Sequence, residues 1–152
     1  MSYLKNNDIE AMIIDLDNTI APWDSDQVAE PDRQWLDALQ SAGIRIMIVS
    51  NNKEKRVEQF AAGLGLPYIF SAAKPFKRSF LKAVELLGAQ RQRTVVVGDQ
   101  IFTDVLGGNS LGLHTVLVEP MASKEFAGTK VLRAMERFVL KKITMTEGFD
   151  DE

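Results

Sequence analysis

At 152 residues, with 45% hydrophobic and 26% charged side chains, the chain is long enough to bury one ordinary core and too apolar to be disordered. Its net charge of -3 gives no electrostatic case for nucleic-acid binding, and the lack of cysteine excludes disulfides, thiolate metal sites and cysteine nucleophiles. The opening residues, Met1 to Asp8, are too polar for a secretory signal. No apolar run approaches the roughly 18 residues of a membrane-spanning helix, so a cytoplasmic protein is expected.

Four consecutive apolar residues, Ala11 to Ile14, predict a strand buried on both faces. It ends at Asp15-Leu16-Asp17-Asn18-Thr19. Alternation along an extended chain points Asp15 and Asp17 the same way and turns Leu16 inward. Ala21 to Ser25 reads as a loop. Pro31 suits the first turn of a helix whose apolar side is marked by Trp35, Leu36 and Leu39 and which Gly43 ends. Ile44 to Val49 is a second strand, dense in branched residues, and it stops at Ser50-Asn51-Asn52. Lys53 to Ala62 is helical, with Val57, Phe60 and Ala61 facing in and Gly63 and Gly65 as its stop. Tyr68 to Phe70 is a short third strand, followed by a loop carrying Lys74. Phe80, Leu81, Val84 and Leu87 give the next helix its stripe, and Gly88 closes it. Thr94 to Val97 is a fourth strand ending at Gly98-Asp99. A helix follows from about Phe102, and Leu113 to Val118 forms a fifth strand.

Strand and helix thus alternate five times, which predicts a Rossmann-like α/β fold, a five-stranded parallel sheet flanked by helices. No repeat or linker interrupts it, so residues 1–145 are expected to form a single domain, with 146–152 an acidic, frayed tail. In such sheets ligands sit beyond the carboxyl ends of the strands. The polar clusters fall at those ends: Asp15 and Asp17, Ser50 and Asn51, Lys74, then Asp99 and Asp104. A polar turn would explain any one of these, but not an acidic pair, a hydroxyl, a lysine and a second acidic pair along one rim.

Two carboxylates as close as Asp15 and Asp17 resist ionising together unless a cation relieves them. Carboxylates from two strand ends suit a hard divalent cation such as Mg2+, which takes oxygen ligands, water and substrate phosphate. Asp15 and Asp99 are the best ligands, with Asp104 behind them. Ser50 offers a hydroxyl to an anion and Asn51 a backbone donor, while Lys74 supplies a point charge that does not compete for metal. One aspartate can attack an electrophile while its neighbour handles the leaving group's proton, and the whole is a kit for phosphoryl transfer.

These residues resemble the haloacid dehalogenase (HAD) superfamily of phosphatases. The matching motifs are Asp15-Leu-Asp17-Asn18-Thr19, Ser50 with Asn51, Lys74-Pro75, and Gly98-Asp99 through Thr103-Asp104, in order across about 105 residues. The resemblance implies Asp15 as the phosphorylated nucleophile and Asp17 as general acid and then base. It implies Mg2+ held by the Asp15 carboxylate, the Asp17 backbone carbonyl and Asp99. The second aspartate, Asp17, sets the chain apart from the dehalogenase branch. Thr19 to Ser50 holds a loop and one helix, and Ser50 to Lys74 one helix and a short strand, so no cap domain is expected in either of the places where this superfamily inserts one. An uncapped site is open to large substrates, or borrows its closure from another subunit of an oligomer. Trp23 lies where the family has a mobile flap and either covers the site or packs locally.

Within the superfamily the short length, the Asp-Asn-Thr-Ile-Ala-Pro-Trp segment and the Lys-Pro pair look like the small subfamily IIIA proteins of the YqeG type, which are related to phosphatidylglycerophosphate phosphatases. That implies a phosphomonoester substrate, with an anionic glycerophospholipid the leading candidate and a sugar phosphate or nucleotide the alternative. A non-catalytic phosphoacceptor module of the receiver type also combines acids, a hydroxyl and a lysine on an α/β sheet. Such a module needs an aspartate after its third strand, where this chain has Ser71-Ala72-Ala73.

His114 starts the fifth strand, away from the motifs, and reads as a packed or surface residue. Gly107-Gly108 reads as a turn. Between Lys130 and Lys141 a helix is expected, with Val131, Leu132, Met135, Phe138 and Val139 on one side and Lys130, Arg133, Arg137 and Lys141 on the other. Its basic side either faces solvent or meets anionic headgroups as a peripheral contact at the inner face of the membrane.

Overall fold

The chain divides by its own contacts into two units, Met1–Ala122 and Ser123–Glu152. A computed structural model describes residues 2–121, which fall in the first. The helix expected at 130–141 and the tail at 146–152 lie outside the described residues.

Five strands form one parallel sheet: β1 (Ala11–Ile14), β2 (Arg45–Val49), β3 (Tyr68–Ile69), β4 (Thr94–Gly98) and β5 (His114–Leu117). Their order is β3-β2-β1-β4-β5, so the first strand is central and the chain reverses direction across the sheet on either side of it. Register brings the strand ends level. Ile14 lies opposite Ile48 on one side and Val97 on the other, and the amide of Asp15 donates to the Val97 carbonyl at 2.9 Å. The residues that follow β1, β2 and β4 therefore reach the same rim.

Alternation along β1 builds both faces of the core. Met12 and Ile14 join Ile46, Ile48, Val95 and Val97 on one side, under the helices α2 (Glu30–Ser41) and α3 (Glu54–Leu64). Ala11 and Ile13 join Met47, Val49 and Val96 on the other, against Phe80, Ala83 and Val84 of α4 (Lys77–Leu86). Every β1 residue is buried, as a central parallel strand requires.

Several local expectations need correction. Here α1 denotes Ser2–Asn6, a short helix that the polar opening did not suggest. Trp35 is 42% exposed, so α2 buries only Leu36 and Leu39 from its expected stripe. Gly63 lies within α3, and the stop is Gly65 alone, whose φ of 65° places it in the left-handed region that a Cβ disfavours. After β4 the chain makes a π-helical turn, Ile101–Val105, before α5 (Leu106–Asn109). Gly107 and Gly108 are not a turn but buried residues of α5. A Cβ on Gly107 would overlap the Phe80 ring, and one on Gly108 would lie 2.6 Å from the Thr115 methyl. The two glycines let α5 approach α4 and the sheet this closely.

The amino ends of the strands carry a separate, exposed network. Glu10 pairs with Arg45 at 3.0 Å and Arg93 at 3.2 Å, joining the starts of β1, β2 and β4. Nearby, His114 Nδ1 lies 3.2 Å from the Tyr3 hydroxyl and its Nε2 3.1 Å from the Gln92 carbonyl, at the opposite end of the sheet from the motif residues. No helix among the described residues is long and apolar enough to cross a membrane.

The two kinds of glycine predict opposite effects on stability. Gly107→Ala should destabilise by about 1–3 kcal/mol, the usual cost of overpacking a filled core. Gly63→Ala, whose Cβ would meet only Arg33 Nη2 at 3.9 Å, should stabilise by about 0.5–1 kcal/mol through reduced chain entropy. Urea denaturation of both variants measures the contrast, and equal midpoints would refute it.

Candidate active site

Lys74 sits at the centre of the rim. Its Nζ donates to Asp15 Oδ1 and to Asp104 Oδ1, each at 2.6 Å, and its side chain is 3% exposed. The loop that delivers it is tightly specified. Ser71 and Ala73 both adopt positive φ, 45° and 54°, which costs a residue with a Cβ about 1–2 kcal/mol. Two links offset that cost by fixing the loop to the end of β2: Ser71 N donates to the Asn52 carbonyl and Ala72 N to the Ser50 carbonyl, at 2.9 and 3.0 Å. The Asn51 side chain then clamps the lysine's own backbone. Its Oδ1 accepts from Lys74 N at 2.7 Å and its Nδ2 donates to the Lys74 carbonyl at 3.2 Å. The sequence reading gave Asn51 only a backbone role toward an anion; the side-chain clamp depends on the β2 and β3 loops meeting in space.

Asp99 and Asp104 enter from the end of β4, and both are buried. Thr19 Oγ1, from the loop after β1, donates to Asp99 Oδ1 at 3.5 Å. Asp104 stands on the π-helical turn, where its Oδ2 accepts from Gln100 N at 3.3 Å. Its carboxyl lies over Gly98, so close that a Cβ there would overlap it. One oxygen from each of Asp15, Asp99 and Asp104 falls within 4.8 Å of the others. Sequence placed Asp104 behind the ligands; the structure brings it into the same cluster and pairs it with Lys74.

The charges in this cluster do not balance. Three buried carboxylates and one ammonium leave a formal deficit of two positive charges when all are ionised. Burial, with Asp104 and Asp99 adding to it and Lys74 opposing, pushes the Asp15 carboxyl up to about 7. Burial alone would lower Lys74, but Asp15 and Asp104 overcome it and hold the ammonium above the usual lysine range. Oxygen donors, a compact arrangement and a deficit of two charges fit a hard divalent cation.

Asp17 belongs to a second group. Arg56 Nε donates to its Oδ1 at 2.7 Å, the Arg56 Nη2 pairs with the same oxygen at 2.7 Å, and Asn52 Nδ2 donates to its Oδ2 at 3.0 Å. Sequence reasoning missed both partners. Arg56 lies on the first turns of α3, and its only sequence signal was a cation close behind the Ser50 rim position. Ser50 is buried, and its Oγ accepts from Asn52 N at 3.0 Å. Asn18 takes a φ of 61°, turning the chain so that its N–H reaches the Ala21 carbonyl at 2.7 Å and its Oδ1 accepts from Trp23 N at 3.4 Å. Trp23 is 38% exposed on that loop. Only α2 and its loop lie between β1 and β2, and only α3 and β3 between β2 and Lys74, so neither interval contains a cap domain.

A family model described as a haloacid dehalogenase-like hydrolase matches residues 2–112. The chain is 41% identical over 140 residues to the Probable phosphatase YqeG of Bacillus subtilis (strain 168), covering 92% of this chain and 81% of that one. It is 26% identical over 151 residues to Phosphatidylglycerophosphate phosphatase 1, chloroplastic, of Chlamydomonas reinhardtii, covering 93% of this chain but 56% of that protein. Among solved structures, the fold resembles 3-deoxy-D-manno-octulosonate 8-phosphate phosphatase from Moraxella catarrhalis in complex with magnesium ion, phosphate ion and a KDO molecule. That match has a TM-score of 0.54 at 20% identity and covers 65% of this chain and 62% of that one.

The charge deficit predicts how metal and pH act together on stability. A carboxyl raised to about 7 binds a proton in the folded protein that the unfolded chain has released. Its contribution to stability is therefore greatest below the ordinary carboxylate range and is lost as pH rises to about 7. A divalent cation removes that penalty by favouring the ionised form. The rise in Tm produced by Mg2+ should accordingly be larger at pH 7.5 than at pH 5. Equal increments at the two pH values would refute the linkage.

Proposed function

Since the chain belongs to the haloacid dehalogenase-like hydrolase family and is a phosphatase, we propose that it hydrolyses phosphomonoesters through an aspartyl-phosphate on Asp15, with Mg2+ as its cation. The observation that carries this reading is the buried Lys74 held between Asp15 and Asp104, beside a third carboxylate. A lysine poised on a carboxylate at the open end of a parallel sheet is placed to meet phosphate oxygens as that carboxylate meets phosphorus.

In the proposed cycle one Asp15 oxygen attacks phosphorus and the bond to the ester oxygen breaks, leaving the phosphoryl group on Asp15. Asp17 gives a proton to the departing oxygen. It then takes one from water as that water attacks phosphorus, which frees the Asp15 carboxylate and releases inorganic phosphate. Lys74, the Ser50 hydroxyl and the Asn51 backbone amide hold the phosphoryl oxygens. The Asp15 carboxylate, the Asp17 backbone carbonyl and Asp99 would hold Mg2+, supported by Asp104. The cation supplies charge neutralisation and Lewis acidity toward the phosphoryl group. The magnesium and phosphate of the Moraxella structure support this choice of cation.

For the substrate we propose a phosphomonoester on an anionic glycerophospholipid, of the phosphatidylglycerophosphate type. The name of the Chlamydomonas relative and the absence of a cap between β1 and Lys74 support it. An open rim can approach a headgroup at a bilayer surface without crossing the membrane, where an inserted cap would collide with it.

Asp15→Asn should abolish turnover and leave no trappable phosphoenzyme, whereas Asp17→Asn should retain cation binding and lose mainly proton transfer. EDTA should stop catalysis and Mg2+ restore it, with Ca2+ a poor replacement because its larger shell misplaces the attack geometry. Acid quenching of enzyme given 32P-labelled substrate tests the first pair; turnover in Asp15→Asn or activity in metal-free buffer overturns the mechanism. Phosphate release from phosphatidylglycerophosphate in vesicles, compared with soluble glycerol phosphates and sugar phosphates, tests the substrate. Faster release from the soluble esters moves the substrate to that class.

A further inference from the structure

We propose that Arg56 is a positioning residue that sets Asp17 and the loop after β1 as one unit, and so governs proton delivery to poor leaving groups. The inference rests on the reading of Asp17 as the proton donor.

The guanidinium uses nearly all of its donor edge on this one task. Nε and Nη2 both reach Asp17 Oδ1 at 2.7 Å, while Nη1 donates to the Ser25 carbonyl at 3.0 Å and Nη2 to the Pro22 carbonyl at 3.1 Å. Its plane is seated over the Phe60 ring, 5.0 Å from the centroid, and Phe60 is itself a buried core residue of α3. The side chain of Arg56 is 19% exposed, so the pair is partly shielded from solvent. The position of Asp17 is thereby referred to the helix rather than to its own loop. A flexible loop end would let the carboxyl swing; an arginine stacked on the core does not.

Asn52 completes the arrangement from the other side, donating to Asp17 Oδ2 at 3.0 Å. Both oxygens of Asp17 thus accept from residues of the β2–α3 connection and its helix, and Asn52 has to release Oδ2 before that oxygen can carry the proton to be delivered. Arg56 and Lys74 divide the acids between them: the lysine holds Asp15 and Asp104, the arginine holds Asp17. This separation keeps the carboxyl that moves a proton out of the buried cluster that draws a cation. The same guanidinium fixes two backbone carbonyls on either side of Trp23, so the loop carrying Trp23 and the proton donor are tied to one anchor.

A general acid matters most when the departing oxygen is a poor leaving group, and little when the leaving group departs as a stable anion. The value kcat/KM covers every step through departure of that group. With Arg56→Ala, kcat/KM for an alkyl phosphate such as glycerol phosphate should fall on the order of a hundredfold, within the range such proton transfer contributes. For 2,4-dinitrophenyl phosphate it should fall less than about tenfold, because that group needs no proton. Arg56→Lys keeps the charge but not the planar fork, and should show the same selective loss in milder form. Arg33→Ala serves as a structural control. Arg33 also spans two helices, donating to the Gly63 carbonyl at 2.8 Å, yet its side chain has no hydrogen bond to Asp17 or to the carbonyls that Arg56 holds. It should show no leaving-group dependence. Thermal melts of all three variants separate loss of fold from loss of position.

A greater loss on the alkyl than on the aryl ester in Arg56→Ala, absent in Arg33→Ala, supports the inference. Equal loss on both esters overturns it and leaves Arg56 as scaffold. If Asp17→Asn itself shows no leaving-group dependence, the reading of Asp17 fails first, which distinguishes the two failures.

Discussion

The buried lysine between two carboxylates is the constraint around which the rim is arranged. Lys74 comes from the loop after β3, Asp15 from just after β1 and Asp104 from beyond β4, so no single element can satisfy the ammonium. Removing one partner from such a buried pair leaves an uncompensated charge, at a typical cost of about 3–5 kcal/mol. The loops are held accordingly: Asn51 grips the lysine backbone, Gly98 makes room for the Asp104 carboxyl, and Ser71 and Ala73 accept left-handed backbone to bring the lysine in. The same grouping that binds the sheet's open end together also concentrates negative charge there. A divalent cation would offset that excess.

Much of the fold was legible because β1, β4 and all of β2 after Arg45 are runs of apolar or branched residues, which a sheet covered on both faces buries. The lost detail follows from contacts distant in sequence. Trp35 lies at helical spacing from Leu39 but beyond the edge of what α2 covers, and periodicity cannot give the width of a buried stripe. Gly63 and Gly65 look alike in sequence, yet only Gly65 needs positive φ. Gly107 and Gly108 suggest a turn until Phe80 and Thr115 are seen against them.

At the rim, the residues singled out from sequence gather at one end of the sheet. Asp15, Lys74, Asp99 and Asp104 meet in a single cluster, while Asp17 stands apart with its own cation. The motif spacing revealed which acids reach the rim but not how they are shared out. That division depends on Arg56 and Asn52, whose link to Asp17 spans α2 and β2. Carboxylates at strand ends are visible by residue type; the residues that hold them still are not, because an arginine in the first turns of a helix is ordinary in composition and special only in what it touches.

The strands carry charge at both ends, and the two ends differ in their access to ions. At the amino ends Glu10, Arg45 and Arg93 meet in the open, with both arginine side chains more than 40% exposed. Exposed pairs of that kind add little to stability, and salt at physiological strength screens beyond roughly 8 Å. At the carboxyl ends the Lys74 pairs are buried, so salt screens them much less. Raising the ionic strength therefore weakens the charge pairing at one pole of the sheet more than at the other.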